Sequence, residues 1–128
     1  SIPMKILRLV SYLAIPFVFA SCGFLKPDYL QAISPRQLHE AMQKGDIFLV
    51  DVHIPEQKHI AGTDLEVPFN KINENRDQFP KDKSTEIYLY CESGPMGNYA
   101  ARELYKLGYR NIFNLEGGKV AWDKAGFE

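Results

Sequence analysis

Glu86-Ile87-Tyr88-Leu89-Tyr90-Cys91-Glu92-Ser93-Gly94-Pro95-Met96-Gly97 reads as a strand, a tight loop and the start of a helix in one run. Residues 86–90 alternate in the manner of a strand. Beyond the loop, Ala100, Leu104 and Leu107 recur at helical spacing. A cysteine at such a junction meets the backbone N–H groups of a short loop and the positive end of a helix, and both stabilise a thiolate or a bound anion. Cys91 is the one position where the chain points to reactivity rather than packing.

Outward from that run the pattern repeats. Ile47-Phe48-Leu49-Val50-Asp51-Val52 is almost continuously apolar, as a central parallel strand buried on both faces must be. Leu30 to Ile33 predicts a brief strand. Ser34-Pro35 predicts an N-cap and first helical residue, with Leu38, Ala41 and Met42 on the buried face and Gly45 as the stop. His53 to Leu65 is a loop rich in breakers, and Glu66-Val67-Pro68 a short strand. Asn70 caps a predicted helix to about Phe79, with Ile72 and Phe79 inward, and Pro80 to Thr85 is a polar turn. Downstream, Gly108 stops the helix that runs to Leu107. Asn111 to Leu115 is a strand, Glu116-Gly117-Gly118 a turn and Val120 to Ala125 a last helix. Strands alternating with helices predict an α/β domain: about five mostly parallel strands with helices on both faces. Ligands of such sheets bind at the C-terminal ends of the strands, where Cys91 and Asp51-Val52-His53 fall.

The chain has 128 residues, enough for one domain, and a formal net charge of -1. No basic footprint argues for nucleic acid. Cys22 and Cys91 are the two cysteines, so neither a disulfide framework nor a zinc-binding spacing is present. His39, His53 and His59 form no HxxxH pair, and no metal or cofactor is expected. Ser1-Ile2-Pro3 ahead of Met4 reads as an expression leftover. Met4-Lys5-Ile6-Leu7-Arg8 gives a positive start and Leu9 to Ala20 an apolar run, so residues 4–21 read as a signal peptide. Val18-Phe19-Ala20-Ser21-Cys22 resembles a bacterial lipoprotein processing site, with Phe19 where Leu is usual. Cleavage before Cys22 then makes that cysteine the lipidated N-terminus, and 22–29 a linker to a domain over 30–128. The expected location is the cell envelope, on the periplasmic or extracytoplasmic face, attached by the lipid on Cys22. The alternative is a plain secretion signal and a soluble periplasmic or secreted protein. No polybasic stretch adds membrane attraction. A monomer is expected.

Four segments, in order, resemble the single-domain rhodanese-like sulfurtransferases. Leu49-Val50-Asp51-Val52-His53 resembles that family's Leu-(Ile/Val)-Asp-Val-Arg run. Lys58-His59-Ile60-Ala61-Gly62-Thr63 resembles its Gly-His-Ile-Pro-Gly-Ala turn. Tyr90-Cys91-Glu92-Ser93-Gly94 resembles the start of its active-site loop. Leu115-Glu116-Gly117-Gly118-Lys119-Val120-Ala121-Trp122 resembles its Leu-Glu-Gly-Gly-x-x-x-Trp signature. The match runs from about Ala32 to Phe127. It implies a three-layer rhodanese-like fold and a catalytic Cys91 that takes sulfane sulfur from a thiosulfate, polysulfide or persulfide donor. The resulting persulfide passes its sulfur to a thiol or to cyanide.

The attacking species is the thiolate. A cradle of backbone N–H groups from Glu92, Ser93, Gly94, Met96 and Gly97 would stabilise it, while Pro95 supplies no N–H. Departures from the family pattern bear on the donor. Thiosulfate-using members usually carry Arg five residues after the cysteine, where this chain has Met96, which offers no fork of donors to an oxyanion. Phosphoester-hydrolysing relatives of the fold also need a loop Arg, so a phosphatase is not expected. Glu92 stands where Arg is common and repels a dianion if it faces the pocket. Weak thiosulfate use follows, with Met96 at an apolar mouth suited to less charged donors. His53, in place of a family Arg, is a candidate for the pocket rim and otherwise a solvated loop residue. Asp51 reads as a holder of loops, His59 as a structural hydrogen bonder, Gly117 and Gly118 as backbone geometry and Trp122 as core. The competing readings are a low-turnover sulfane-sulfur carrier or binding module, and a thiol redox protein, which the lack of a nearby resolving cysteine disfavours.

Overall fold

The computed structural model describes residues 29–127. The signal segment 4–21, Cys22 and most of the 22–29 linker lie outside them. The elements are β1 (Leu30–Ile33), α1 (Pro35–Lys44), β2 (Phe48–Asp51), β3 (Leu65–Glu66), two 3₁₀ segments (Phe69–Lys71 and Asn73–Gln78), β4 (Ile87–Tyr90), α2 (Pro95–Lys106), β5 (Ile112–Leu115) and α3 (Gly118–Lys124). The strands form one sheet in the order β1-β5-β4-β2-β3, every pairing parallel. All strand C-termini therefore lie along one edge.

Because side chains alternate along a strand, the apolar runs feed two separate layers. Val50, Ile87, Leu89, Cys91 and Ile112 pack under α2 with Ala100, Ala101 and Leu104 and against Ile72 and Phe79, which flank the second 3₁₀ segment. Leu49, Tyr88, Tyr90 and Leu115 pack on the opposite face with Leu38 of α1 and Trp122 of α3. This is the expected α/β sandwich, helices on both faces. Ser34 caps α1 in a full capping box: its hydroxyl accepts the Gln37 N–H, and Gln37 Oε1 accepts the Ser34 N–H.

Local boundaries differ from expectation in three places. The helix predicted from Asn70 to Phe79 is two 3₁₀ segments, broken by a non-helical Asn75. Its residues 73–78 are polar and rich in Asn and Asp, which compete with the helix for backbone partners; Asn75 Nδ2 donates to the Lys71 carbonyl. β3 is Leu65–Glu66 rather than 66–68, and beyond it the Val67 N–H still donates to the Asp51 carbonyl at 3.0 Å and the Phe69 N–H to the Val52 carbonyl at 2.9 Å. α3 begins at Gly118, not Val120.

Candidate active site

β2 and β4 end side by side, with Asp51 opposite Tyr90, and the Val52 N–H extends the ladder by donating to the Tyr90 carbonyl at 2.9 Å. Cys91 is therefore the first residue beyond a central strand. Its side chain lies in the α2 layer beside Val52, Ala100 and Ala101 and is 1% exposed. The loop that follows turns back on it: the Gly94 N–H donates to Cys91 Sγ at 2.8 Å. Gly94 reaches that position with φ +133°, a left-handed conformation that side chains disfavour.

Two neighbouring elements hold the loop. At the start of α3, the Lys119 N–H donates to the Cys91 carbonyl at 2.8 Å and the Val120 N–H to the Glu92 carbonyl at 3.1 Å. That approach requires Gly118, where an added Cβ would stand 2.5 Å from the Glu92 backbone. Gly117 has φ +73°, and a Cβ there would meet Ala121 at 2.6 Å. From β5, Asn114 Nδ2 donates to the Gly94 carbonyl at 3.0 Å and to Asn98 Oδ1 at 2.8 Å.

The site residues expected from sequence divide on inspection. Gly97 was to be a backbone donor, but its N–H already donates to the Gly94 carbonyl at 3.1 Å. Gly97 is instead a place of close approach, where a Cβ would stand 2.0 Å from Asn114 Oδ1. Met96 is half-buried. Spaced one turn before Ala100 and two before Leu104, it packs against the apolar layer that also holds Cys91. Glu92 is exposed, and its carboxylate stands 3.5 Å from His53 Nε2. His53, with a side chain 12% exposed, is thus packed at the loop rather than solvated. Ser93, Gly94 and Pro95 line a cleft of about 470 Å³, with Leu30, Asn98, Asn114 and Glu116 among its other walls. Trp122 is buried in the opposite apolar layer.

Asp51 is fully buried and accepts from the His53 N–H at 3.0 Å, from Gln57 Nε2 at 3.2 Å and from His59 Nδ1 at 2.7 Å. The hydrogen bond to Asp51 raises the His59 pKa above 6.5, with Glu66 and Glu56 adding to it and partial burial opposing it. Tyr90 works on the same face. Its hydroxyl accepts the Ile60 N–H at 2.9 Å and pairs with Thr63 Oγ1 at 2.7 Å, and burial pushes its pKa well up. Together Asp51 and Tyr90 pin the long loop between β2 and β3. Glu56, His59 and Glu66 place ligand-type atoms within 4.8 Å of one another on the surface.

Sequence reasoning missed Asn114 and its partner Asn98. The available signal was one polar residue inside the apolar strand Ile112-Phe113-Asn114-Leu115.

Comparison with known proteins follows the same outline. The rhodanese-like domain model matches residues 34–125. A sulfurtransferase of Allochromatium vinosum is 31% identical over 83 residues, covering 63% of this chain and 76% of that protein. Protein slr1261 of Synechocystis is 32% identical over 97 residues, covering 73% of this chain, which spans only 52% of that protein's length. A rhodanese-related protein of Thermoplasma volcanium superposes with a TM-score of 0.66 at 24% identity, over 77% of this chain and 95% of that one.

Proposed function

The chain belongs to the rhodanese-like domain family, and on that premise we propose that Cys91 carries sulfane sulfur between a small donor and a thiol or cyanide acceptor. The Cys91 thiolate attacks the terminal sulfur of the donor. The donor's S–S bond breaks, its remainder leaves with the bonding pair, and Cys91 holds the sulfur as a persulfide. An acceptor thiolate or cyanide then attacks the outer sulfur, and the Cys91 thiolate is the leaving group. The observation that carries this reading is the Gly94 N–H on Cys91 Sγ at the C-terminal edge of a parallel sheet. A donor aimed at the sulfur stabilises its anionic form in both half-reactions.

The surroundings favour a polysulfide or persulfide donor over thiosulfate. Met96 brings no cation to the loop, and Glu92 adds a carboxylate beside it. A nucleophile 1% exposed also favours a slender donor whose terminal sulfur enters alone. The same burial supports a second reading, a sulfur carrier of low turnover. Attachment to the cell envelope through a lipid on Cys22 belongs to this proposal too, supported by the sequence around residues 4–22.

Mass spectrometry after exposure to polysulfide tests the reading. Wild type gains the mass of one sulfur on Cys91 and loses it to cyanide, and repeated turnover separates enzyme from carrier. Cys91→Ser gains nothing. Met96→Arg raises the thiosulfate:cyanide rate about tenfold or more, as a new cation near an oxyanion implies. A wild type that takes up no sulfur on Cys91 would sink the persulfide reading, and equal thiosulfate rates in wild type and Met96→Arg would sink the donor preference.

A further inference from the structure

We propose that Asn114 is a positioning residue that sets the reactivity of Cys91 by holding the Gly94 carbonyl. This rests on the reading of Cys91 as the sulfur-carrying nucleophile and adds a residue to it.

One amide spans the site. Asn114 lies on β5, opposite Leu89 of β4, on the sheet face that carries Cys91 and α2. It is 7% exposed and stands in a strand that is otherwise apolar. Both Nδ2 protons are committed, one to the Gly94 carbonyl at 3.0 Å and one to Asn98 Oδ1 at 2.8 Å. Asn114 Oδ1 has no hydrogen-bond partner and rests against Gly97. A buried polar group with half its capacity unsatisfied costs stability that an apolar residue would avoid. Stability alone therefore does not account for an asparagine here.

What the amide does is hold the Gly94 carbonyl, one residue's backbone away from the N–H that meets Sγ. Gly94 has φ +133° and no side chain to restrain it. Its N–H bonds to Sγ, and its carbonyl is the acceptor for Asn114, for the Gly97 N–H at 3.1 Å and for the Asn98 N–H at 3.4 Å. The two helix N–H groups come from the helix that the loop itself opens. Asn114 comes from a different strand and ties the Gly94 residue to the rigid sheet. Asn98 Oδ1 orients the strut, and Gly97 leaves room for it. With the residue held, its N–H stays aimed at the sulfur before substrate arrives, as effective stabilisation of charge requires.

The test is the pH dependence of Cys91 alkylation by iodoacetamide, read by mass spectrometry on folded protein. Asn114→Ala alkylates about tenfold more slowly than wild type near neutral pH, its profile displaced to higher pH, as loss of a well-aimed bond to an anion implies. Asn114→Asp is slower again by roughly several-fold, because a carboxylate repels both the Gly94 carbonyl and the thiolate. Asn98→Ala, an exposed change, slows alkylation about threefold. The charged groups around the loop are Glu92 with His53 against it, Glu116 at the cleft and Lys119 held by Asp123. None is altered by these substitutions, so a displaced profile reports the strut. A wild-type profile in folded Asn114→Ala overturns the inference. If that variant does not fold, a wild-type profile in Asn98→Ala overturns it. Alkylation involves no sulfane sulfur. A wild type that never loads sulfur therefore refutes the proposed function, whereas a protein that loads sulfur with an Asn114-independent profile refutes the strut alone.

Discussion

Among the described residues two polar side chains are buried, Asp51 at the end of β2 and Asn114 at the end of β5, and they solve the same problem in opposite ways. Each ties a loop to the C-terminal edge of the sheet. Asp51 is a carboxylate with both oxygens occupied by donors from the loop between β2 and β3. Asn114 is neutral, has one atom unpartnered and holds the short loop around Cys91. Strand alternation explains the choice. Asp51 follows Val50 and so projects to the face of Tyr90 and Leu49, while Cys91 and Asn114 project to the other. A buried negative charge is an efficient anchor when many donors converge on it, but beside a thiolate it opposes the charge that the chemistry needs. The sheet keeps the charged anchor on one side and the nucleophile with its neutral anchor on the other.

The comparison breaks most visibly if the charge is removed from the side that uses it. Asp51→Asn turns one acceptor atom into a donor among donors from Gln57 and His59, and should cost roughly 2–3 kcal/mol of stability by urea unfolding. Its Cys91 alkylation rate, measured where the variant is folded, should stay near wild type. A large loss of reactivity would show that the two sides are coupled through the sheet. On the other side, Gly97→Ala drives a Cβ into Asn114. Overpacking of this kind costs about 1–3 kcal/mol. Here alkylation should slow together with stability, because the displaced amide is the one holding Gly94.

The order of elements was legible because strands buried on both faces appear as apolar runs with glycine and proline between them. Ile47–Val52 and Glu86–Tyr90 are of that kind. Cys91 was legible for the same reason, as a thiol at a strand-to-helix junction. Residues 69–78 were not, since Ile72 and Phe79 satisfy a helical spacing while the polar residues between them close tighter local turns. Asn114 was invisible because its role depends on register: only the pairing of β4 with β5 brings it beside the Cys91 loop, about twenty residues away in sequence. Gly97 was misassigned because it was read by distance from Cys91, whereas the helix lays it against Asn114 of β5.

The smallest expected effect sharpens the comparison furthest, because it concerns charge alone. Asp51 raises the pKa of His59 in the folded protein above 6.5. A group whose folded pKa is raised binds its proton more tightly in the folded state. Its contribution to stability is thus fully present below about 6.5 and is lost as pH rises through the raised folded value. Urea unfolding between pH 5.5 and 8.5 should show wild-type stability declining relative to His59→Gln over that window. The slope should be shallow, since the His59 side chain is 32% exposed and solvent screens the pair. The same substitution should leave the pH profile of Cys91 alkylation where it is, because His59 and Asp51 act on the face opposite the thiol. A stability curve with no pH dependence relative to His59→Gln would remove Asp51 as a charged anchor. A displaced alkylation profile would instead mean that the sheet does not insulate Cys91 from the charge behind it.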